Sequence, residues 1–283
     1  MKKLCLILVI FSSLIAVARE IPTANQDDID KINNILEKLQ GSRKTEGEKM
    51  VYAALELIGS EEDDYYSVDS IGELRVNMQR YSPLMFINTV IALTKASEFP
   101  GKSDWHLFLK ELEDVSCRRG ENKGFPSIMY HTSDWIGDNI SRGKIIELTE
   151  NYNGVVARTK SLDEMTRKRN NYAALSDSNT FETVRMIEMG FRTHRIPALK
   201  KETIKKKEIN DDLRNGDIII FVPNRDGIDM YDIGIVAIEN DAPHLIHLSP
   251  QTHKIVKEED DIARYMALMT KYFQGYRILR LKD

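Results

Sequence analysis

The last third of the chain narrows its fold more than any other region. Five strand-like segments, 217–222, 231–238, 244–248, 254–256 and 276–281, follow one another across short polar breaks. One helical pattern, Ile262, Tyr265, Met266 and Met269, interrupts them before the last strand. Ahead of residue 217 the periodicity is mostly helical. Ile29, Ile32, Ile35, Leu36 and Leu39 recur at i, i+3, i+4 spacing until Gly41, and Met50, Val51, Ala54, Leu55 and Ile58 do so until Gly59. Residues 60–80 read as loop and extended chain. A very apolar helix is expected over about 83–95, and another near 104–114 carrying Trp105, Phe108, Leu109 and Leu112. An extended piece around 127–131 leads to a helix start at Ser133-Asp134-Trp135, with Ser133 as its cap. The polar stretch 150–215 reads as helix and loop, with one helix marked by Phe181, Val184, Ile187 and Phe191. Helices in front and an antiparallel sheet behind make an α+β fold. With no repeat and no low-complexity linker, residues 19–283 are expected to form one domain.

Residues 1–18 do not belong to that domain. Lys2 and Lys3 precede an apolar run from Leu4 to Ala18, broken by Ser12 and Ser13 and ending in Ala16-Val17-Ala18. This is the build of a cleaved secretory signal peptide, and the run is too short for a membrane span. Export to the periplasm or cell surface is expected, with no span left in the mature chain. Removing the leader takes away two lysines and no acid, so the net charge moves from −4 to −6. An acidic chain gives nucleic-acid binding no electrostatic footing. One of the two cysteines leaves with the leader, and Cys117 alone cannot close an internal disulfide. The lysines at 200, 201, 205, 206 and 207 read as a solvated face. His244 and His247 look like a metal pair, but residues three apart on a strand point to opposite faces. No metal and no cofactor is expected.

Three stretches in fixed order resemble a known family. The first is Glu73-Leu74-Arg75-Val76-Asn77 followed by Tyr81-Ser82-Pro83-Leu84-Met85-Phe86-Ile87-Asn88-Thr89-Val90. The second runs from Gly124-Phe125 to Tyr130-His131-Thr132-Ser133-Asp134-Trp135-Ile136. The third is Asn215-Gly216-Asp217-Ile218-Ile219, then Asp232-Ile233-Gly234-Ile235, then His244-Leu245-Ile246-His247. Together they resemble the N-acetylmuramoyl-L-alanine amidase-like family, a branch of the NlpC-type, papain-like cysteine peptidases. The resemblance implies a papain-like fold, with helices packed on an antiparallel sheet or half-barrel. It also implies a cleft between the Pro83 helix and the Asp232 strand, and relatives that cleave amide bonds in bacterial peptidoglycan.

That chemistry needs a thiolate at a helix N-terminus and a histidine to take its proton. Aligned on Phe86, the resemblance places Pro83 in the nucleophile position, Asp232 in the base position and His247 in the orienting position. Proline has no nucleophilic atom, and a carboxylate of ordinary pKa is a poor base for a thiol. The resemblance therefore implies a pseudoenzyme whose cleft, with Tyr130, His131 and Trp135 beside it, binds a peptidoglycan fragment or a protein partner. The alternative is an active amide hydrolase rebuilt around Ser82, Asp232 and His247. A third reading is a scaffold whose cleft is filled by side chains. Ser82 and Pro83 also have a purely structural account, as a helix cap followed by proline at the first helical position.

Overall fold

The computed structural model describes residues 24–63, 74 and 76–282. The leader at 1–18, and Glu73 and Arg75 of the first family stretch, lie outside the described residues.

Four helices open the fold, each begun by a side chain that accepts a first-turn N–H. Helix α1 (Gln26–Leu39) is capped by Asn25 and turns Ile32, Ile35, Leu36 and Leu39 inward. Helix α2 (Glu46–Leu55) starts with a Thr45/Glu48 capping box. Two short strands, β1 (Glu61–Glu62) and β2 (Arg80–Tyr81), pair in parallel. Helix α3 (Pro83–Ser97) is capped by Ser82, and α4 (Trp105–Ser116) by Asp104. Helix α3 is buried around almost its whole circumference, from Leu84 to Thr94 and at Ala96 and Ser97. A helix so apolar belongs inside a fold, and α3 packs against α1, α2 and α4 on one side and the sheet on the other. Two of its polar residues bond back to the helix: Thr94 Oγ1 donates to the Val90 carbonyl at 2.9 Å and Ser97 Oγ to the Thr94 carbonyl at 2.7 Å.

The middle of the chain holds α5 (Thr132–Ser141), β3 (Ile145–Glu147), β4 (Val155–Lys160), α6 (Glu164–Arg167), α7 (Ser178–Met189), β5 (His194–Leu199) and α8 (Lys207–Asn210). The back third supplies β6 (Ile218–Pro223), β7 (Asp232–Glu239), β8 (Ala242–Ser249), β9 (Lys254–Asp261), α9 (Ile262–Met269) and β10 (Phe273–Leu281). Among the described residues the strands join in one sheet of order β2-β1-β9-β8-β7-β6-β10-β5-β4, with β3 also pairing β10. Apart from β1 with β2, the pairs are antiparallel. The chain is thus a mixed α+β fold with a large, mostly antiparallel sheet.

Two expectations are corrected. The stretch 150–215 contains β4 and β5, paired along their whole length from Val155–Leu199 to Lys160–His194. The start of α5 is not capped by Ser133, which lies inside the helix; His131 occupies the cap position without a side-chain cap bond.

Strand alternation divides the buried residues of the sheet between two cores. Ile218, Ile220, Ile233, Ile235, Ile246 and Leu248 join α1 to α4 in one. Ile219, Phe221, Val236, Leu245 and Ile278 pack with Tyr265 and Met266 of α9 in the other. Where α2 meets the turn before β6 the backbones touch: a Cβ on Gly47 would lie 1.9 Å from the Asn215 carbonyl oxygen. No side chain fits at that contact.

Candidate binding cleft

The N-terminus of α3 opens onto a cleft of about 340 Å³, near the lower end of the ~300–1,000 Å³ usual for ligand pockets. Ser82, Pro83 and Asn88 line it from α3, Tyr130 and Met165 from the middle of the chain, and Tyr231 from the start of β7. Ser82 Oγ accepts the Met85 N–H at 3.4 Å, so its oxygen serves as the helix cap. Tyr231 is held flat on Tyr272, ring centroids 5.2 Å apart and planes 6° from parallel. Burial, with the charge of neighbouring Asp232, pushes its phenol up to about 12. Tyr130 receives the Tyr172 hydroxyl proton at 3.0 Å. Glu164 closes one rim: burial alone would raise its pKa, but ion pairs to Lys168, Arg167 and Arg225 outweigh it and hold the carboxylate low.

Asn88 differs from Thr94 and Ser97: it is 3 % exposed, and among the described residues its Oδ1 has no hydrogen-bond partner.

Two buried carboxylates brace the cleft, Asp229 from its lining and Glu188 from behind it. Asp229 accepts the Thr132 N–H at 3.2 Å and the Ser133 N–H at 2.5 Å, which makes it the cap of α5. Burial would raise its pKa; the charge of His131 and the bonds from Ser133 and Thr132 reverse that and lower it. Glu188 of α7 accepts from the Met165 and Thr166 N–H groups at 3.0 and 2.9 Å, from Thr166 Oγ1 at 2.5 Å, and pairs with His131 Nε2 at 2.8 Å. Its pKa too is lowered, the His131 and Thr166 bonds outweighing burial. Neither carboxylate was among the residues singled out from sequence. Glu188 had a readable signal, since it continues the buried stripe of α7 four residues after Val184.

Of the three aromatic and imidazole residues expected at the cleft, Tyr130 lines it. His131 is turned to Glu188, and Trp135 is a core residue with no exposed surface. Asp232 and His247 come together, but not at the cleft. His247 Nδ1 meets Asp232 Oδ2 at 2.8 Å, and its Nε2 meets Glu258 Oε1 at 2.8 Å. Tyr265 of α9 donates its hydroxyl to the same Asp232 oxygen at 2.5 Å, and the Ile233 N–H bonds the other at 2.8 Å. Asp232 shares its strand face with Val236, opposite to Ile233 and Ile235, which pack toward α3. The alternative grouping of Ser82 with Asp232 and His247 is therefore not brought together. The cap serine stands on the α3 side of the sheet, and the carboxylate–imidazole pair on the α9 side. The residue just before β7, Tyr231, lines the cleft.

Burial alone would lower the His247 pKa, but the Asp232 charge and the bonds to Asp232 and Glu258 outweigh it and raise it to about 9. The imidazole is a buried cation held between two carboxylates. Cys117, at the C-terminal end of α4, is buried. Among the described residues no group of three or more His, Cys, Asp and Glu side chains is placed to hold a metal ion, and no helix is long and apolar enough to cross a membrane.

The AmiA-like, N-acetylmuramoyl-L-alanine amidase-like family matches residues 42–271, most of the chain. The chain belongs to that family. A solved N-acetylmuramoyl-L-alanine amidase from Bacteroides uniformis is similar to it with a TM-score of 0.74 and 21 % identity, over 84 % of this chain and 99 % of that one. A protein from Legionella pneumophila is similar with a TM-score of 0.69 and 14 % identity, over 91 % of this chain and 95 % of that one. At such identities the likeness is one of fold. No curated protein matches the chain.

Proposed function

We propose that this chain is an exported, papain-like, NlpC-type member of the amidase-like family that binds a peptidoglycan fragment without cleaving it. The observation that carries the reading is at the first turn of α3. Pro83 stands in the position the family resemblance gives to the nucleophile, and Ser82 beside it is engaged as the cap. Covalent amide cleavage of this kind needs a nucleophile within hydrogen-bond reach of a base. The imidazole nearest in the resemblance, His247, is a cation locked between Asp232 and Glu258 on the other side of the sheet. A protonated imidazole takes no proton. The cleft itself is kept: it is open, walled by Ile128, Met129 and Met230, and edged by tyrosines. An open cleft speaks against a filled scaffold. The leader at 1–18 and the cell-wall association of the family support action outside the cytoplasm.

The test incubates protein 19–283 with purified muropeptides and reads binding and cleavage together. Saturable binding with no product above a heat-killed control is the expected result. Turnover that disappears in Ser82→Ala would overturn the reading and establish the rebuilt hydrolase instead.

A further inference from the structure

Asn88 is the cleft residue whose chemistry the fold leaves unused. It lies on α3 six residues past the Ser82 cap, in the buried part of a helix whose Thr94 and Ser97 are bonded back to the helix. Its Oδ1 is shielded from solvent and has no partner among the described residues, yet the residue lines the cleft. A buried polar atom without a partner is a standing cost to the fold. A small apolar residue there would remove the cost, so the carboxamide calls for an account in terms of what enters the cleft.

We infer that Asn88 reads the peptide portion of the ligand, its carboxamide pairing with one backbone amide of an extended peptide seated in the cleft. This rests on the binding reading above and names the part of the fragment that is recognised. Oδ1 is an acceptor, and a backbone N–H of an extended peptide is the donor it lacks; a trans peptide group points its N–H and C=O to opposite sides, so one such bond is made to one peptide group. The walls fit the same occupant. Ile128, Met129, Met165, Ile228 and Met230 offer apolar surface for small aliphatic side chains, and thioethers adapt to irregular shapes. A sugar ring carries many hydroxyls, each needing a partner on desolvation, and polar groups of the cleft are engaged within the fold: Ser82 as the cap, Glu164 and Arg225 in ion pairs, Asp229 at the start of α5. The Tyr231 ring has one face taken by Tyr272, which removes that face as a stacking surface for a sugar.

The experiment titrates protein 19–283 with three probes: N-acetylmuramoyl-L-alanyl-D-isoglutamine, the free dipeptide L-alanyl-D-isoglutamine, and N-acetylmuramic acid. Wild type, Asn88→Leu and Asn88→Ala are compared, the alanine variant removing the carboxamide without adding branched bulk. The glycopeptide and the dipeptide should bind and the sugar should not. Each variant should weaken both ligands about tenfold, the loss expected for one hydrogen bond of ordinary net strength. In the absence of ligand, Asn88→Leu should melt about 2–4 °C higher than wild type, because an unpartnered buried polar group has been removed. A merely structural asparagine would lower the melting temperature on replacement and leave affinity alone. If the glycopeptide binds wild type and both variants equally, or if the sugar alone carries the affinity, the inference is overturned while the binding function stands. If none of the three binds folded wild type, the function proposed above falls as well.

Discussion

On the α9 side of the sheet every end of a buried polar cluster meets a partner. Asp232 receives His247, the Tyr265 hydroxyl and a backbone N–H, and the second nitrogen of His247 meets Glu258. On the α3 side Asn88 is also buried, and its Oδ1 meets no partner among the described residues. Sequence alone offered Asp232 and His247 as an internal ion pair or, alternatively, as part of a rebuilt catalytic centre, and passed over Asn88. The contrast teaches where to look. A closed network of charges, fully answered from within, stabilises a fold and leaves nothing to offer a ligand. An unanswered group beside an open cleft costs stability, and its use lies with what binds.

The largest effect should come from breaking the closed cluster on one side only. Asp232→Ala leaves the His247 cation with Glu258 as its remaining carboxylate and takes the acceptor from the Tyr265 hydroxyl. Losing one partner of a buried ion pair costs about 3–5 kcal/mol, to be read as a lower urea midpoint. Replacing Asp232 and His247 together by leucines should recover most of that loss, since the desolvation cost of both charges goes too. A single variant that loses less than about 1 kcal/mol would show that the cluster is not the stabiliser described.

The same cluster predicts a pH dependence. The folded pKa of His247, about 9, stands above the ordinary histidine value near 6.5. Its contribution is therefore complete below about pH 6.5 and is lost as pH rises through 9. The amount is on the order of 3 kcal/mol. Wild type should lose stability between pH 6.5 and 9.5 more steeply than His247→Gln, in urea titrations at constant ionic strength. Parallel curves would mean that the imidazole is neutral in the fold.

A smaller effect is expected on the cleft side, at Asp229. Asp229→Asn removes the negative charge facing the first N–H groups of α5 and one of the two acceptors, and should cost about 1–2 kcal/mol. Its lowered carboxyl pKa gives the opposite pH sign to His247. The Asp229 contribution is present above the ordinary aspartate value near 3.9 and lost as pH falls through its lower folded value. Acid denaturation of Asp229→Asn should accordingly begin from lower stability and show a shallower slope.

Much of this fold is legible in the sequence, because it rests on local signals. The front helices announce their caps at Asn25, Thr45 and Ser82, and the strands of the back third alternate cleanly. Strands β4 and β5 escape notice because Arg158 and Pro197 interrupt their alternation and most of their residues are not buried. The acidic second half of β9, Lys257 to Asp261, carries no apolar pattern at all. The start of α5 is misread because its cap comes from Asp229, 96 residues beyond Ser133. At the site, the alternation of 232, 234 and 236 against 233 and 235 shows that Asp232 and Ile233 face opposite ways. It does not tell which face meets α3, and on that choice depends whether Asp232 and His247 are chemistry or scaffold. Asn88 is the opposite failure, one polar letter in a mostly apolar helix, whose meaning appears only when its missing partner is seen.

The smallest predicted effect separates the two roles Ser82 has been given. As a cap, its oxygen accepts the Met85 N–H, and Ser82→Ala should cost about 0.5–2 kcal/mol of stability. Asparagine or aspartate at 82 should restore most of that, since both cap as well as serine does. Pro83→Ala should cost about 0.4–1 kcal/mol, because proline at the first helical position lowers the freedom of the unfolded chain without losing a helical hydrogen bond. The two losses should nearly add if Pro83 does no more than limit that freedom. A nucleophile follows a different rule. Neither asparagine nor aspartate can stand in for a serine that attacks an amide, so Ser82→Asp would keep the fold and lose any turnover. Melting curves and muropeptide assays on Ser82→Ala and Ser82→Asp therefore divide the cases. Recovery of stability in Ser82→Asp, with no turnover in any variant, is the outcome expected of a cap beside an open, non-catalytic cleft.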